Sequence, residues 1–506
     1  MQTELDILRQ QLAEKDAVIA RLQAQYNYLA EQFRLAQQQR FGASSEAHTG
    51  QGELFNEAEA IVEQPADEDE KQHISYTRKK PGRKPLPDNL PREQVVIDLA
   101  EEDKVCDGCH GALHKIGEDT SEKLEFIPAQ VKVIETIRPK YSCRACDKHG
   151  ERVQVKQAPV PLAIIPKGIA TPSLLAQIIT SKYQYGLPLY RQEAMFKQYG
   201  IDLSRQTMAD WMLRCADVLQ ILYDLLKQLL LQQAVIMADE TTLKVVNEAK
   251  STCYMWLYCT GAEPCAAASE ISNIVLYDYQ ASRAGQCAVD FLDGYSGYLQ
   301  CDGYVGYEQT LATLVGCWAH ARRKFIEAKQ AQPKGKSGKA DVALNHIQKL
   351  YVIESQIKAQ TPHGKQAIRQ VKAVGELNKL KAWLDKSQSQ VPPKSTLGSA
   401  ITYCLNQWHK LIRYTEDGNL NIDNNRAERA IKPFVIGRKN WLFSNTAKGA
   451  KASAILYSII ETAKANSLMP FDYLNKILTE LPRRKPTDGL TDLLPLASLP
   501  DTVQND

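Results

Sequence analysis

The stretch Ala234-Val235-Ile236-Met237-Ala238-Asp239-Glu240-Thr241 decides the fold. Its unbroken apolar run suits a strand buried on both faces, and the run stops abruptly at acidic residues. Outward from it, strand-like runs rich in aromatic and β-branched side chains extend from Tyr254 to Thr260 and from Ile274 to Tyr279. A short helical stretch, Ala284 to Leu292, leads to Gly297-Tyr298-Leu299-Gln300-Cys301-Asp302-Gly303, a further strand that ends in an acid. Thr313-Leu314-Val315-Gly316-Cys317-Trp318 then precedes a helix that starts near His320.

Three strands, a helix, a strand, then another strand and helix is the order of an RNase H-like sheet. In that order Asp239 and Asp302 fall on neighbouring strands. Two carboxylates so placed invite a third, because two Mg2+ (or Mn2+) ions held about 4 Å apart need several anionic oxygen ligands. Glu428 is the candidate. It lies in Asp423-Asn424-Asn425-Arg426-Ala427-Glu428-Arg429-Ala430-Ile431, where Asp423 or Asn424 can cap a helix and Ala427, Ala430 and Ile431 form its packing face. From Arg426 to Lys451 there are seven Lys and Arg residues, and Glu428 is the only acid among them. An acid so isolated is either a salt-bridge partner or a metal ligand beside phosphates.

Upstream of the sheet the chain changes character several times. Residues 1–43 carry apolar side chains at heptad spacing: Leu5, Leu12, Ile19, Tyr26 and Phe33 in one series, Leu8, Leu22, Leu29 and Ala36 in the other, broken only by Lys15. This pattern favours a coiled coil and hence a homo-oligomer, the alternative being a lone amphipathic helix. Residues 44–95 form a linker in which eight acids between Glu53 and Glu70 give way to Lys71, Arg78, Lys79, Lys80, Arg83 and Lys84. Pro81, Gly82, Pro85 and Pro87 keep this basic hook extended, so that it can lie along phosphates or serve as a solvated linker. In residues 96–155, Cys106-Asp107-Gly108-Cys109 is followed after 33 residues by Cys143-Arg144-Ala145-Cys146. Four thiolates on two such turns suit a closed, structural Zn2+ site rather than a catalytic one. Residues 156–232 read as helices, opening with the Thr171-Pro172 cap and broken at Gly186 and at Gly200 to Ser204. That break resembles a helix-turn-helix with Ser204, Arg205, Gln206 and Thr207 leading the recognition helix, and a plain helical bundle is the alternative.

At 506 residues the chain is too long for one core, which points to a multidomain α/β protein. Apolar residues at 44% and charged residues at 24% exclude wholesale disorder. The 62 basic against 59 acidic residues leave only +3, because the acidic spacer cancels the basic hook and the basic C-terminal stretch. No apolar run approaches the roughly 20 residues of a membrane span, and Met1 opens a polar segment without a signal-peptide core. The expectation is therefore a cytoplasmic, nucleoid-associated protein that does not engage a membrane.

Several motifs together carry a family resemblance. Asp239-Glu240-Thr241, Gln300-Cys301-Asp302-Gly303-Tyr304, Cys317-Trp318-Ala319-His320-Ala321-Arg322-Arg323-Lys324-Phe325 and Asp423 to Arg429 look like transposases of the insertion-sequence-66 family (TnpC type). So does Pro433-Phe434-Val435-Ile436-Gly437-Arg438-Lys439-Asn440-Trp441-Leu442-Phe443, and the likeness extends to the N-terminal heptads, the Gly82-Arg83-Lys84-Pro85 stretch and the paired cysteines. The resemblance implies a DDE transposase whose matching acids are Asp239, Asp302 and Glu428, acting on DNA with two Mg2+ or Mn2+ ions. It implies an RNase H-like core in two parts, 233–330 and 416–468, split by a helical insertion at 331–415, and a tail at 469–506 whose role is open. His320, Arg322, Arg323, Lys324, Arg429, Arg438 and Lys439 would then hold phosphates of the element ends and target, unless they form a solvated basic face. Small accessory proteins of the same element are further expected partners. A nuclease of the same fold without strand transfer, or a non-catalytic DNA-binding derivative, are the competing readings.

Overall fold

The computed structural model describes parts of residues 12–33, a few positions between 93 and 123, residues 130–142, and residues 155–496 apart from 262–272, 333–337 and 486–487. The chain forms two compact units, 66–158 and the remainder. Within the smaller unit, β1 (Lys140–Ser142) pairs antiparallel with β2 (Val155–Gln157), and the Gln157 side chain donates to Arg138 O at 2.9 Å. The four cysteines expected to bind Zn2+ and the basic hook Lys79 to Lys84 lie outside the described residues. Between 12 and 33 the described residues are helical, and the heptad positions Leu12, Ile19, Leu22, Tyr26, Leu29 and Phe33 are exposed.

The larger unit is built on a five-stranded sheet: β3 (Val235–Lys244), β4 (Thr252–Thr260), β5 (Val275–Gln280), β6 (Tyr298–Gln300) and β7 (Thr313–Val315). Their spatial order is β5-β4-β3-β6-β7. The first three pair antiparallel, and β6 and β7 extend the sheet in parallel on the other side of β3. This mixed sheet is consistent with an RNase H-like core. β4 is apolar on both faces and buried from Met255 to Thr260, as a central strand must be. β3 is buried through Ala238 and turns polar from Asp239 to Thr242, before Leu243 returns to the core.

Eleven helices matter here: α1 (Pro172–Tyr183), α2 (Leu189–Gln198), α3 (Arg205–Leu231), α4 (Gly285–Phe291), α5 (Trp318–Gln330), α6 (Lys339–Ile357), α7 (Val374–Gln388), α8 (Thr396–Asn406), α9 (Asn425–Trp441), α10 (Ala447–Ala465) and α11 (Pro470–Glu480). Thr171 caps α1 by accepting from Leu174 N with Pro172 at the first helical position, and Ser204 caps α3 by accepting from Thr207 N. Gly200 adopts φ +76° between α2 and α3, a left-handed conformation that a side chain would resist.

Two hydrophobic cores result. One joins α1, α2, α3, α10 and α11 to the sheet; the other joins α5 to α6, α7 and α8 and reaches the sheet through Val235 and Val315. The helices of 156–232 share the core of the sheet: α3 runs for 27 residues and buries Leu219, Leu222 and Leu226 there. In the segment 469–506, whose role the sequence leaves open, Tyr473, Leu474, Ile477 and Leu478 of α11, with Leu493 and Leu494 after it, belong to that core as well. Their i, i+1, i+4, i+5 spacing on an amphipathic helix is the physical reason.

The outer strand β5 would expose unpaired backbone groups, a liability in any sheet. α10 covers it: Val275 N donates to Thr462 Oγ1 at 3.0 Å, Thr462 Oγ1 donates to Val275 O at 2.9 Å, and Tyr277 N donates to Ser458 Oγ at 2.8 Å. Among the described residues no helix is long and apolar enough to cross a membrane.

Candidate active site

Parallel pairing aligns Met237 of β3 with Gln300 of β6, so the residues two further along each chain, Asp239 and Asp302, leave the same end of the sheet side by side. Asp239 Oδ1 accepts from Glu240 N at 2.9 Å, and Asp302 Oδ1 accepts from Tyr304 N at 2.8 Å, which fixes the turn after β6. The glycine at 303 has a steric reason, since a Cβ there would lie 2.9 Å from the Tyr403 ring of α8.

Glu428 arrives on the first turn of α9, where the helix dipole favours a negative charge. The start of that helix is tied down on three sides. Asn424 Nδ2 donates to Ala238 O at 2.8 Å, one residue before Asp239. Asn424 N donates to Cys317 Sγ at 3.2 Å, and Trp318 N donates to Ile422 O at 3.1 Å, so the start of α5 is held against the same loop. Asp423 accepts from Asn425 N at 3.1 Å and from the Tyr351 hydroxyl at 2.9 Å, which brings the helical insertion into the frame.

The electrostatics are those of crowded acids. Burial first, then the fields of Glu240, Glu428 and Asp302, hold the Asp239 carboxyl well above the usual carboxylate range. Glu428 is buried; its Oε2 accepts from Arg323 Nη2 at 3.3 Å, and its Oε1 has no hydrogen-bond partner. Asn424 Oδ1 and Asn425 Oδ1 are likewise buried without a partner. Orphaned oxygens beside repelling carboxylates are the donor set a hard divalent cation takes, so these residues fit the expected ions. The acids do not converge on a single point, however: among the described residues the ligand atoms that lie within 4.8 Å of one another are those of Cys317, His320 and Glu428.

Glu240 is a different kind of acid. Alternation along β3 turns it away from Asp239. It accepts from Arg283 Nε at 2.8 Å and from the Tyr307 hydroxyl at 2.6 Å, and Arg283 in turn stacks over Tyr304 at 4.0 Å. Burial raises its carboxyl, and the Tyr307 and Arg283 hydrogen bonds pull it back. Arg283 and Tyr307 are partners that the sequence alone did not single out.

The basic residues divide. Arg323 pairs with Glu428, Arg322 is half-buried, and Lys324, Arg429 and Lys439 are exposed. Arg438, expected on phosphates, instead places its guanidinium on β3, where it donates to Thr241 Oγ1 at 3.2 Å, to Thr242 Oγ1 at 3.0 Å and to Thr242 O. Arg205 is exposed at the start of α3, with its N–H donating to Glu193 Oε1 at 3.1 Å.

A mixed sheet consistent with an RNase H-like core, with acids at its strand ends and on a neighbouring helix and basic side chains around them, suits a protein that works on nucleic acid. Comparison with known proteins narrows this. The family model described as "Transposase IS66 family" matches residues 167–452, that of its zinc-finger binding domain matches 103–147, one described as "Transposase C of IS166 homeodomain" matches 28–95, and the IS66 C-terminal element matches 458–496. Among curated proteins of Sinorhizobium fredii (strain NBRC 101917 / NGR234), the uncharacterized protein y4jD is 35% identical over 81% of this chain and 81% of its own length. The uncharacterized protein y4hP is 34% identical over 83% of this chain and 78% of its own length. No solved structure gives a significant match. The chain belongs to the IS66 family of transposases, and its function is DNA transposition.

Proposed function

We propose that Asp239, Asp302 and Glu428 are the catalytic acids of this transposase, holding two Mg2+ or Mn2+ ions at which element ends are cut and joined to target DNA. The observation that carries this reading is the shared end of β3 and β6 with α9 tied to Ala238, which keeps three acids from distant parts of the sequence in one electrostatic neighbourhood. Bound cations would neutralise the crowded acids, activate water or a 3′-hydroxyl, and stabilise the leaving oxygen of an in-line displacement. Asp239, whose carboxyl lies in the fields of both Glu428 and Asp302, would hold these ions together with them, and the bound charge would relieve the repulsion among the three acids. Arg323 orients Glu428 through its Oε2. Lys324, Arg429 and Lys439 offer positive charge to phosphates along the exposed face.

The other modules serve the same act. Cys106, Cys109, Cys143 and Cys146 hold a structural Zn2+, a reading supported by the family match over 103–147. The exposed heptad seam of the N-terminal arm pairs with a second copy. Lys79, Lys80, Arg83, Lys84 and the α2–α3 turn with Arg205 grip DNA ends. Incubating the protein with labelled element ends, target DNA and Mg2+ should yield joined products. Asp239→Asn, Asp302→Asn and Glu428→Gln should each cut joining by about 10³-fold or more while end binding persists. Cleaved but never joined ends from the parent protein would favour a nuclease, and full joining by any one variant would remove that residue from the site.

A further inference from the structure

Beside Glu428 two buried polar atoms face each other without a hydrogen bond: His320 Nδ1 and Glu428 Oε1, 3.5 Å apart. That is long for a charge-assisted hydrogen bond, which closes to about 2.7–2.9 Å. It is close to the spacing of two ligand atoms on one cation, since bonds of about 2.1 Å at tetrahedral or octahedral angles separate the ligands by about 3.0–3.4 Å. The other oxygen of Glu428 is engaged by Arg323, so Oε1 is the atom left for a cation. The pair is also held in place. His320 sits in the first turn of α5, and the bonds from Trp318 N to Ile422 O and from Asn424 N to Cys317 Sγ lock that turn to the start of α9. The third atom of the group, Cys317 Sγ, is spent as the acceptor of the Asn424 N–H. His320 lies in the fields of Glu428 and Asp302 on one side and of Arg323 and Lys324 on the other, so it stands where the carboxylates meet the basic face.

We propose that His320 Nδ1 and Glu428 Oε1 are joint ligands of one divalent cation, the one on the helix side of the site, and that the imidazole makes this position prefer Mn2+ to Mg2+. The proposal rests on the reading of Glu428 as a cation ligand. An all-oxygen site suits Mg2+, whereas an imidazole nitrogen is a poor ligand for Mg2+ and a better one for first-row transition ions, Mn2+ included. His320 is thereby moved from the residues expected to touch phosphates to those that bind metal.

The test is Mn2+ titration of the full-length protein, read by electron spin-echo envelope modulation, which detects a nitrogen bonded directly to Mn2+. Expected are a directly coordinated 14N signal in the parent protein, its loss in His320→Gln, and a fall of about tenfold or more in Mn2+ affinity with Mg2+ affinity much less affected. Uniform 15N labelling of the histidines alters the same signal without any substitution, so the test does not depend on the folding of one variant. Mn2+ bound more weakly by Glu428→Gln but showing no nitrogen coupling in the parent would overturn the proposal and leave Glu428 as a ligand. Mn2+ binding unchanged in a folded Glu428→Gln would remove Glu428 from the site and the proposal with it.

Discussion

Where α10 meets β5, the buried backbone groups of Val275 and Tyr277 are met by the hydroxyls of Thr462 and Ser458; where the start of α9 meets β3 and the first turn of α5, Glu428 Oε1, Asn424 Oδ1, Asn425 Oδ1 and His320 Nδ1 are buried without hydrogen-bond partners. Both are helices laid against strands of one sheet. The first contact pairs the backbone groups of β5 with hydroxyls and seals an edge. The second leaves oxygens unpaired among crowded acids, where burial first and then mutual repulsion lifts Asp239. Orphaned atoms alone do not mark a site, since Trp256 Nε1, Tyr258 Oη and Tyr457 Oη are also buried without partners; what sets the α9 contact apart is that its orphans are oxygens and an imidazole nitrogen beside crowded acids.

This contrast can be broken by substitution, and the largest effect is expected at the acidic contact. Asn424→Ala removes the bond to Ala238 O that sets α9, and Glu428, against β3. Strand joining should fall by about 100-fold, as small misplacements of catalytic groups do, with only a few degrees lost in thermal unfolding. Unchanged joining would mean that α9 is positioned by packing alone.

Next in size is the pairing of Glu240. Arg283→Met leaves a buried carboxylate with the Tyr307 hydroxyl as its remaining side-chain donor, and denaturant unfolding should register a loss of about 2–3 kcal/mol. Glu240→Gln in the presence of Arg283 should keep joining activity. Its abolition would place Glu240 among the catalytic acids and blur the division drawn along β3. Thr462→Val should have the smallest effect. It strips Val275 of its hydroxyl partner at a cost of about 1–3 kcal/mol, while activity per folded molecule stays at the parent level.

Much of the sheet was legible because its strands are short apolar runs that end at acids or glycines. Even β6 and β7, three residues each, stood out between Gly297 and Trp318. The separate behaviour of Asp239 and Glu240 was less visible, since neighbours in sequence face opposite sides of a strand, and the partners of Glu240 lie 43 and 67 residues away. Arg438 was read with the surrounding bases, but its anchor at Thr242 is 196 residues distant, a contact no local pattern encodes. α11 is the opposite case: Pro470 at its first turn and the apolar spacing from Tyr473 to Leu478 were present in the sequence, within a segment left open as a tail. His320 was noticed as a basic neighbour of phosphates, and only the position of its ring against Glu428 points to metal.

The central claim is that Asp239, Asp302 and Glu428 jointly hold divalent cations. Anomalous diffraction from crystals of the full-length protein soaked in Mn2+ tests it most directly. The account requires Mn2+ peaks within bonding distance of carboxylate oxygens of all three residues. Peaks that bypass Asp302, or that gather at Glu240 instead of Asp239, would contradict it.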